Sequence, residues 1–223
     1  MCKRENEMYS QRRRNGRRRR RKARLEKLLF LTVEILILVV VVYVAKSVLI
    51  KKDPIEVAEE IEEKDEYPDW IDEEYLSVDN PSRTGERLDG INDIVVHYVG
   101  NPGTTAWQNW NYYNSSDSVV CSHFIVGLDG DIIQCLPLYE KSEASNDRNH
   151  DTISIEVCHP GEDGKFTEES YDSLVKLVQW LMKEFDLDSD HVIRHYDVTG
   201  KICPKYFVEH EDAWEQFKKD LDD

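Results

Sequence analysis

Cysteine, histidine and glycine are all scarce in this 223-residue chain, which has five cysteines, seven histidines and ten glycines. Such low cysteine use argues against a small domain stapled by disulfides and fits a core large enough to be stable without them. The sequence after residue 50 has no internal repeat, no glycine-rich phosphate loop and no helix-turn-helix motif. We therefore expect neither a nucleotide cofactor nor a nucleic-acid partner.

Charge is distributed unevenly along the chain. Residues 1–27 carry 13 Lys and Arg against 3 Glu, whereas the remaining residues carry 16 basic and 42 acidic side chains. In isolation, the arginine-rich segment is typical of a patch that binds nucleic acid or anionic lipid. The segment that follows it favours the membrane, and residues 1–27 are therefore predicted to form a basic cytoplasmic tail.

Residues 28–50 are rich in Leu, Ile and Val, and a helix of this length can span a hydrocarbon core of about 30 Å. A cleaved signal peptide is the alternative, but Tyr43, Val44 and Ala45 lack the pair of small residues that a cleavage site requires. The basic flank keeps the amino terminus inside and exports the chain beyond Ile50. The sequence thus predicts a single-pass signal-anchor in the cell membrane, with an extracellular domain.

Residues 51–87 predict an acidic extracytoplasmic tether. The segment EVAEEIEEKDE offers little apolar surface to bury, so we expect at most a short solvated helix there. The later segment YPDWIDEEYL carries aromatic and apolar side chains, which indicate that the second half of the tether could dock on the domain.

Residues 88–223 have the pattern of one globular α/β domain. The runs INDIVVHYV, TISIEVCH and HVIRH predict strands, and VVCSHFIVGLDGDIIQCLPL predicts a hairpin with a turn at Asp129-Gly130. Helices are predicted after Thr104 and Thr105, after Thr167, and at the end of the chain, where apolar residues recur at helical spacing. Interleaved strands and helices predict a single mixed central β-sheet with helices on its faces.

Three residues of this domain form a candidate metal-binding set. His97 lies near the end of a predicted strand, and His195 precedes Cys203 by eight residues in the last predicted loop. Two imidazoles and one thiolate suit zinc and leave a fourth position for water. Spacing alone is weak support, since an isolated His or Cys is more often a structural residue.

A family resemblance strengthens this hypothesis. The segments IVVHYVGNPGTTAWQNWNYY, SHFIVGLDGDIIQCLPL, DTISIEVCHP and VIRHYDVTGKICPKYF occur in this order between about Asp89 and Leu221. They resemble the zinc-dependent N-acetylmuramoyl-L-alanine amidases related to peptidoglycan recognition proteins and to amidase-type phage lysozymes. The resemblance implies a cell wall hydrolase that cuts peptidoglycan between muramic acid and L-alanine.

The same resemblance assigns roles to particular residues. It implies that His97, His195 and Cys203 bind Zn²⁺ and that Glu156 and Lys201 lie beside the metal. Glu156 would carry a proton from water to the departing amine, and Lys201 would stabilise the developing oxyanion. The alternatives are an exposed strand carboxylate and a solvated loop lysine.

The chain departs from some relatives at Ser122, where they carry a tyrosine near the metal. We interpret the neighbouring His123 as a packed or hydrogen-bonded strand residue and not as a ligand. With Cys203 assigned to the metal, Cys121, Cys135 and Cys158 remain in the domain, and a bridge between Cys121 and Cys158 stays open.

Two other functional classes compete with a hydrolase. One is a binding module of the same fold that holds muropeptide without cutting it, and the other is a structural or assembly protein. The intact set of candidate ligands with Glu156 disfavours both. We expect peptidoglycan and the membrane as partners and a monomeric catalytic domain.

Overall fold

The computed structural model contains two compact units, Met1–Lys51 and Lys52–Asp223. It describes residues 52–64 and 67–222 and, in the first unit, positions 32, 36–38 and 40. Those few positions are helical and exposed, and no helix within the described part of the chain is long and apolar enough to cross a membrane. The predicted basic tail and most of the predicted anchor, residues 1–27 and 28–50, lie outside the described residues.

The second unit is built on a sheet of six strands: β1 (Asp72–Glu73), β2 (Asp93–Tyr98), β3 (Phe124–Val126), β4 (Ile132–Gln134), β5 (Thr152–Val157) and β6 (Val192–Arg194). Their spatial order is β1-β4-β3-β5-β2-β6. β3 and β4 pair antiparallel, and the other neighbours pair parallel. The predicted mixed sheet is confirmed, and so is the hairpin, whose turn has Gly130 at φ +82°.

The helices are α1 (Pro54–Lys64), α2 (Ala106–Tyr113), α3 (Glu168–Phe185), α4 (His195–Thr199), α5 (Lys205–Glu209) and α6 (Glu211–Asp222). Short 3₁₀ turns occupy Asn146–Arg148 and Ser189–His191. Thr105 caps α2 in a capping box with Gln108, and Thr167 caps α3, as the sequence predicts.

Strand alternation separates the two faces of the sheet. Ile94 and Val96 of β2, with Ile153 and Ile155 of β5, pack into the larger hydrophobic core together with α3 and α6. The intervening residues point to the opposite face, where a smaller core contains Ala106 and Tyr113 of α2. His97 and Glu156 occupy such intervening positions, and both line a cleft on that face.

The predicted tether is corrected by the structure. Residues 54–64 form α1, whose Ile55, Ala58 and Ile61 are buried in the larger core. The interpretation of this segment as solvated was wrong because three apolar residues at spacing i, i+3 and i+6 form one helical stripe among the glutamates. The later segment does dock: β1 pairs with β4, and Leu76 is buried.

Candidate metal centre

The topology of the sheet brings three candidate residues to one edge. β5, β2 and β6 are adjacent parallel strands, with Glu156 opposite His97 and Val96 opposite Arg194. His195 directly follows β6 and therefore reaches the same level as His97. The carboxyl ends of parallel strands are the usual position of ligand sites in open α/β sheets.

Cys203 enters this group from the loop after α4. The Tyr196 N–H donates to the Cys203 carbonyl at 2.9 Å, so the loop is tied back to the start of α4. Gly200 ends α4 at φ +77°, a left-handed conformation that suits glycine and lets the chain reverse. The side chains of His97, His195 and Cys203 are all buried, and their donor atoms lie within 4.8 Å of one another.

The separations of these atoms fit a metal ion. The two Nδ1 atoms of His97 and His195 are 3.1 Å apart, and Cys203 Sγ lies 3.8 Å from His97 Nδ1. Tetrahedral zinc with ordinary bond lengths would place two nitrogens about 3.3 Å apart and a sulfur and a nitrogen about 3.6 Å apart. The cluster therefore has the donor types and spacing of a three-ligand zinc site.

The electrostatics of the protein alone favour uncharged donors in this cluster. Burial lowers the pKa of His97, with the nearby His195 and Lys201 adding to the effect, and burial lowers the pKa of His195 to about 4. Burial, together with Glu156, raises the pKa of the Cys203 thiol to about 12. Neutral imidazoles are competent ligands, and a bound cation is what favours the thiolate.

Glu156 lines the cleft beside the cluster and is half-buried, with its Oε2 atom shielded from water. Burial raises the pKa of its carboxyl to about 8, and Lys201 opposes this shift. Among the described residues, its Oε2 atom has no hydrogen-bond partner. A buried carboxylate oxygen without a partner is costly, which indicates that this group is kept for chemistry or for a bound ligand.

The cleft has a volume of about 280 Å³ and contains both sequence-predicted catalytic candidates, Glu156 and Lys201, with His97 and His195 on its wall. Lys201 is an exposed residue that contributes its positive charge to the surroundings of Glu156 and of both imidazoles. The structure therefore brings the five predicted site residues together.

A tyrosine that the sequence did not single out for the site also lines this cleft. Tyr113, at the end of α2, is buried, and the side chain of Ser122 lies near its phenol. Burial raises the pKa of Tyr113, so the phenol stays protonated at neutral pH. Sequence reasoning treated Tyr113 only as an apolar helix residue, because the contact with Ser122 comes from tertiary packing.

Two further residues, which the sequence did not predict to be part of the site, contact the Nε2 atoms of the candidate histidine ligands. His97 Nε2 lies 3.2 Å from Ser145 Oγ, and His195 Nε2 lies 2.7 Å from Asn146 Oδ1. No motif marks these positions in the sequence, since they belong to an irregular polar segment.

The interpretation of His123 as a structural residue is confirmed. Its Nε2 lies 2.8 Å from the Glu140 carbonyl, and its Nδ1 accepts from the Ser154 N–H at 3.0 Å. Burial lowers its pKa to about 4. Cys121, Cys135 and Cys158 are buried free thiols, so the described part of the chain contains no disulfide, including the bridge between Cys121 and Cys158 left open by the sequence.

The N-acetylmuramoyl-L-alanine amidase family model matches residues 87–206 of this chain. The N-acetylmuramoyl-L-alanine amidase CwlL of Bacillus licheniformis is 28% identical over 165 residues, which cover 66% of this chain and 45% of that protein. For the N-acetylmuramoyl-L-alanine amidase BlyA of Bacillus subtilis, the identity is 27% over 165 residues, covering 65% of this chain and 44% of that one. The chain thus spans less than half the length of these relatives.

Solved structures agree with this match. The catalytic domain of XlyA, an N-acetylmuramoyl-L-alanine amidase of Bacillus subtilis, superposes with a TM-score of 0.59 at 29% identity. The superposition covers 68% of this chain and 98% of the XlyA domain. The predicted α/β fold is therefore confirmed, and the matched part of this chain corresponds to nearly the whole XlyA catalytic domain.

Proposed function

The chain belongs to the N-acetylmuramoyl-L-alanine amidase family, and from this premise we propose that it hydrolyses the amide bond between N-acetylmuramic acid and L-alanine in peptidoglycan. The observation that carries the proposal is the cluster of His97, His195 and Cys203, whose two histidines line the same cleft as the carboxyl of Glu156. In this proposal the three residues hold Zn²⁺.

Zinc, when bound, polarises the amide carbonyl and makes water a stronger acid at neutral pH. The positive charge would also act on Glu156 in the same direction as Lys201, lowering the carboxyl pKa from its raised value. Glu156 would then be ionised and able to accept a proton from the attacking water. It would pass this proton to the nitrogen of L-alanine, because an amine leaves readily only when protonated.

Lys201 contributes a positive charge at the mouth of the cleft. As the amide carbonyl becomes tetrahedral, its oxygen gains negative charge, and a nearby ammonium lowers the energy of that state more than that of the ground state. The exposed position of Lys201 leaves it free to meet a substrate that covers the cleft. Tyr113 adds a protonated phenol to the same wall, where it can orient substrate.

A muropeptide-binding module of the same fold is the second candidate. Its expected signature is the loss of a metal ligand or of the proton carrier, whereas this chain has the three candidate ligands in one cluster and Glu156 in the adjoining cleft. The geometry therefore favours hydrolysis over binding alone.

The test is to incubate the purified protein and its Glu156→Gln variant with peptidoglycan and to identify the new termini by mass spectrometry. We expect a free lactyl carboxyl on muramic acid and a new L-alanine amine with the wild type, and both products to form about 10² to 10⁴ times more slowly with the variant. Cleavage elsewhere in the stem peptide would assign another specificity, and binding without any product would favour the binding module.

We further propose that residues 28–50 anchor the chain in the cell membrane, with the amino terminus in the cytoplasm and the domain outside. The apolar sequence, its basic flank and the helical, exposed state of Leu36, Ile37, Leu38 and Val40 support this proposal. A monomeric domain tethered in this way would act on the wall above the membrane of a bacterium with a single membrane.

A further inference from the structure

Both candidate imidazole ligands are held from behind by one short segment, residues 143–149, which we call the histidine-holding turn. His195 Nε2 contacts Asn146 Oδ1 at 2.7 Å, and His97 Nε2 contacts Ser145 Oγ at 3.2 Å. Consecutive residues of the turn therefore reach two histidines that are separated by 98 positions in the sequence.

The histidine-holding turn is itself fixed by hydrogen bonds. Asn149 Oδ1 accepts from the backbone N–H groups of Ala144 at 3.1 Å and Ser145 at 2.6 Å. Arg148 forms ion pairs with Asp151 at 2.8 Å and with Asp93, which lie at the starts of β5 and β2. The turn is thus attached to the same two strands that carry Glu156 and His97.

Asn146 occupies a left-handed backbone conformation, with φ at +53°. Such a conformation is unfavourable for most side chains, although asparagine tolerates it better than others. The same residue contacts the candidate metal ligand His195 through its side-chain amide. Asn146 therefore combines an uncommon backbone conformation with a contact to the site.

We propose that Asn146 is a positioning residue that fixes the tautomer and orientation of His195, while Ser145 contributes only to the orientation of His97. An amide oxygen only accepts hydrogen bonds, so the proton of the neutral His195 ring resides on Nε2. Nδ1 then presents its lone pair toward His97 Nδ1 and Cys203. The other tautomer would point an N–H group into the position that the metal requires.

The expected effect on zinc affinity rests on the proposed metal centre, but the tautomer of His195 is a property of the metal-free protein. Outer contacts of this kind typically change metal affinity by about 10- to 100-fold. Asn146 orients His195 but is not itself a ligand. Loss of its contact should therefore weaken zinc binding without removing any ligand.

The experiment uses two substitutions of Asn146 in the full-length protein. Asn146→Gly removes the amide while relieving the left-handed backbone, so the loss of the acceptor is not confounded with strain. Asn146→Asp retains an oxygen acceptor and should restore the contact. Asp186→Gly is the matched control, because Asp186 has φ at +54° at the end of α3, outside the cleft.

Two readouts are measured: the ring tautomer of ¹⁵N-labelled His195 by NMR in metal-free protein, and the zinc Kd by competition with a chelating dye. We expect Asn146→Gly to lose the Nε2–H tautomer preference and to raise Kd about 10- to 100-fold, with Asn146→Asp and Asp186→Gly near wild type. An unchanged tautomer and Kd in Asn146→Gly would overturn the inference. Failure of the wild type to bind zinc would instead overturn the proposed metal centre, while the tautomer comparison would still decide the role of Asn146.

Discussion

At the scale of single residues, the site depends on polar side chains that the fold removes from water. Glu156 is half-buried with a shielded, unpartnered oxygen, whereas the fully buried His123 has both ring nitrogens satisfied by backbone groups. A satisfied group contributes to stability, and an unsatisfied one costs stability unless a ligand completes it. This contrast separates the candidate proton carrier from a structural histidine that is fully buried.

Glu156→Gln is predicted to retain zinc and to lose turnover. The amide preserves the shape of the side chain but cannot accept a proton, and proton transfer by a placed side chain typically contributes about 10² to 10⁴ in rate. Zinc content should be measured beside kcat, with Glu162→Gln as an exposed control. Loss of zinc from Glu156→Gln would make Glu156 a ligand, and near-normal turnover would require another proton carrier.

Cys203→Ser is predicted to lose both zinc and activity, because a neutral hydroxyl is a much poorer ligand than a thiolate. Cys121→Ser is the matched control: Cys121 is also buried, and a serine can still donate to the Ser82 carbonyl that the Cys121 thiol contacts at 3.0 Å. Metal analysis of both variants decides the point. Equal zinc content in Cys203→Ser and the wild type would remove Cys203 from the metal centre.

His123 is predicted to make the metal-free domain less stable in acid. Its pKa is lowered in the folded state from 6.5 to about 4, so below pH 6.5 the unfolded chain binds a proton that the folded chain does not. Stability should therefore fall between pH 6.5 and pH 4, by about 3 kcal/mol at the lower end.

Urea unfolding of the wild type and His123→Gln across this range isolates the effect, with the exposed His210→Gln as a control. We expect the advantage of the wild type over His123→Gln to shrink as the pH falls. Parallel pH curves for these two proteins would mean that His123 titrates normally in the fold.

At the scale of secondary structure, local patterns predicted most elements but not their contacts. The helix after Thr167 follows from its cap and from apolar residues at helical spacing, and both signals are local. The cluster of His97, His195 and Cys203 needed the family resemblance, because the pairing of β2 with β5 and β6 joins distant segments. The contacts of Asn146 and Tyr113 had no local signal at all.

The α1 helix was misjudged for a related reason. Its composition is acidic, yet Ile55, Ala58 and Ile61 are buried, and Glu62 accepts a hydrogen bond from the Leu138 backbone N–H at 2.7 Å. The phenols of Tyr67 and Tyr75 donate to the same carboxylate. The helix can bury these apolar side chains despite its negative charge, since none of its five glutamates is fully buried.

Ile61→Ala is predicted to destabilise the domain, because removing a buried isoleucine typically costs about 2 to 5 kcal/mol. Glu63→Ala, at an exposed position of the same helix, should change stability by less than about 0.5 kcal/mol. Urea unfolding of both variants provides the comparison. Equal stability of Ile61→Ala and the wild type would mean that α1 does not pack on the domain and is a solvated tether.

At the scale of the whole molecule, the family match begins at residue 87, beside the predicted start of the amidase domain, and residues 52–86 belong to the same compact unit. The compact unit starts at Lys52, directly after the predicted membrane segment, and leaves no long acidic linker among the described residues. The domain is acidic, so attraction to anionic wall polymers is not expected to hold it at its substrate. A membrane anchor would supply the local concentration instead.

The proposed topology predicts which cysteines are reachable from outside the cell. Cys121, Cys135, Cys158 and Cys203 are buried, and Cys2 would be cytoplasmic. A membrane-impermeant maleimide should therefore leave the wild type unlabelled in wall-stripped cells and label a Ser116→Cys variant, since Ser116 is exposed. Labelling of Cys2 in intact cells, with Ser116→Cys protected until lysis, would reverse the orientation.

In the proposed metal centre, two imidazoles and one thiolate bind a single zinc ion at the carboxyl ends of adjacent strands. Zinc-edge X-ray absorption spectroscopy of the purified protein measures this ligand set directly. We predict one zinc per chain, with nitrogen scatterers at about 2.0 to 2.1 Å and one sulfur at about 2.3 Å that is lost in Cys203→Ser. A zinc shell without sulfur in the wild type, or the absence of bound zinc, would contradict this claim.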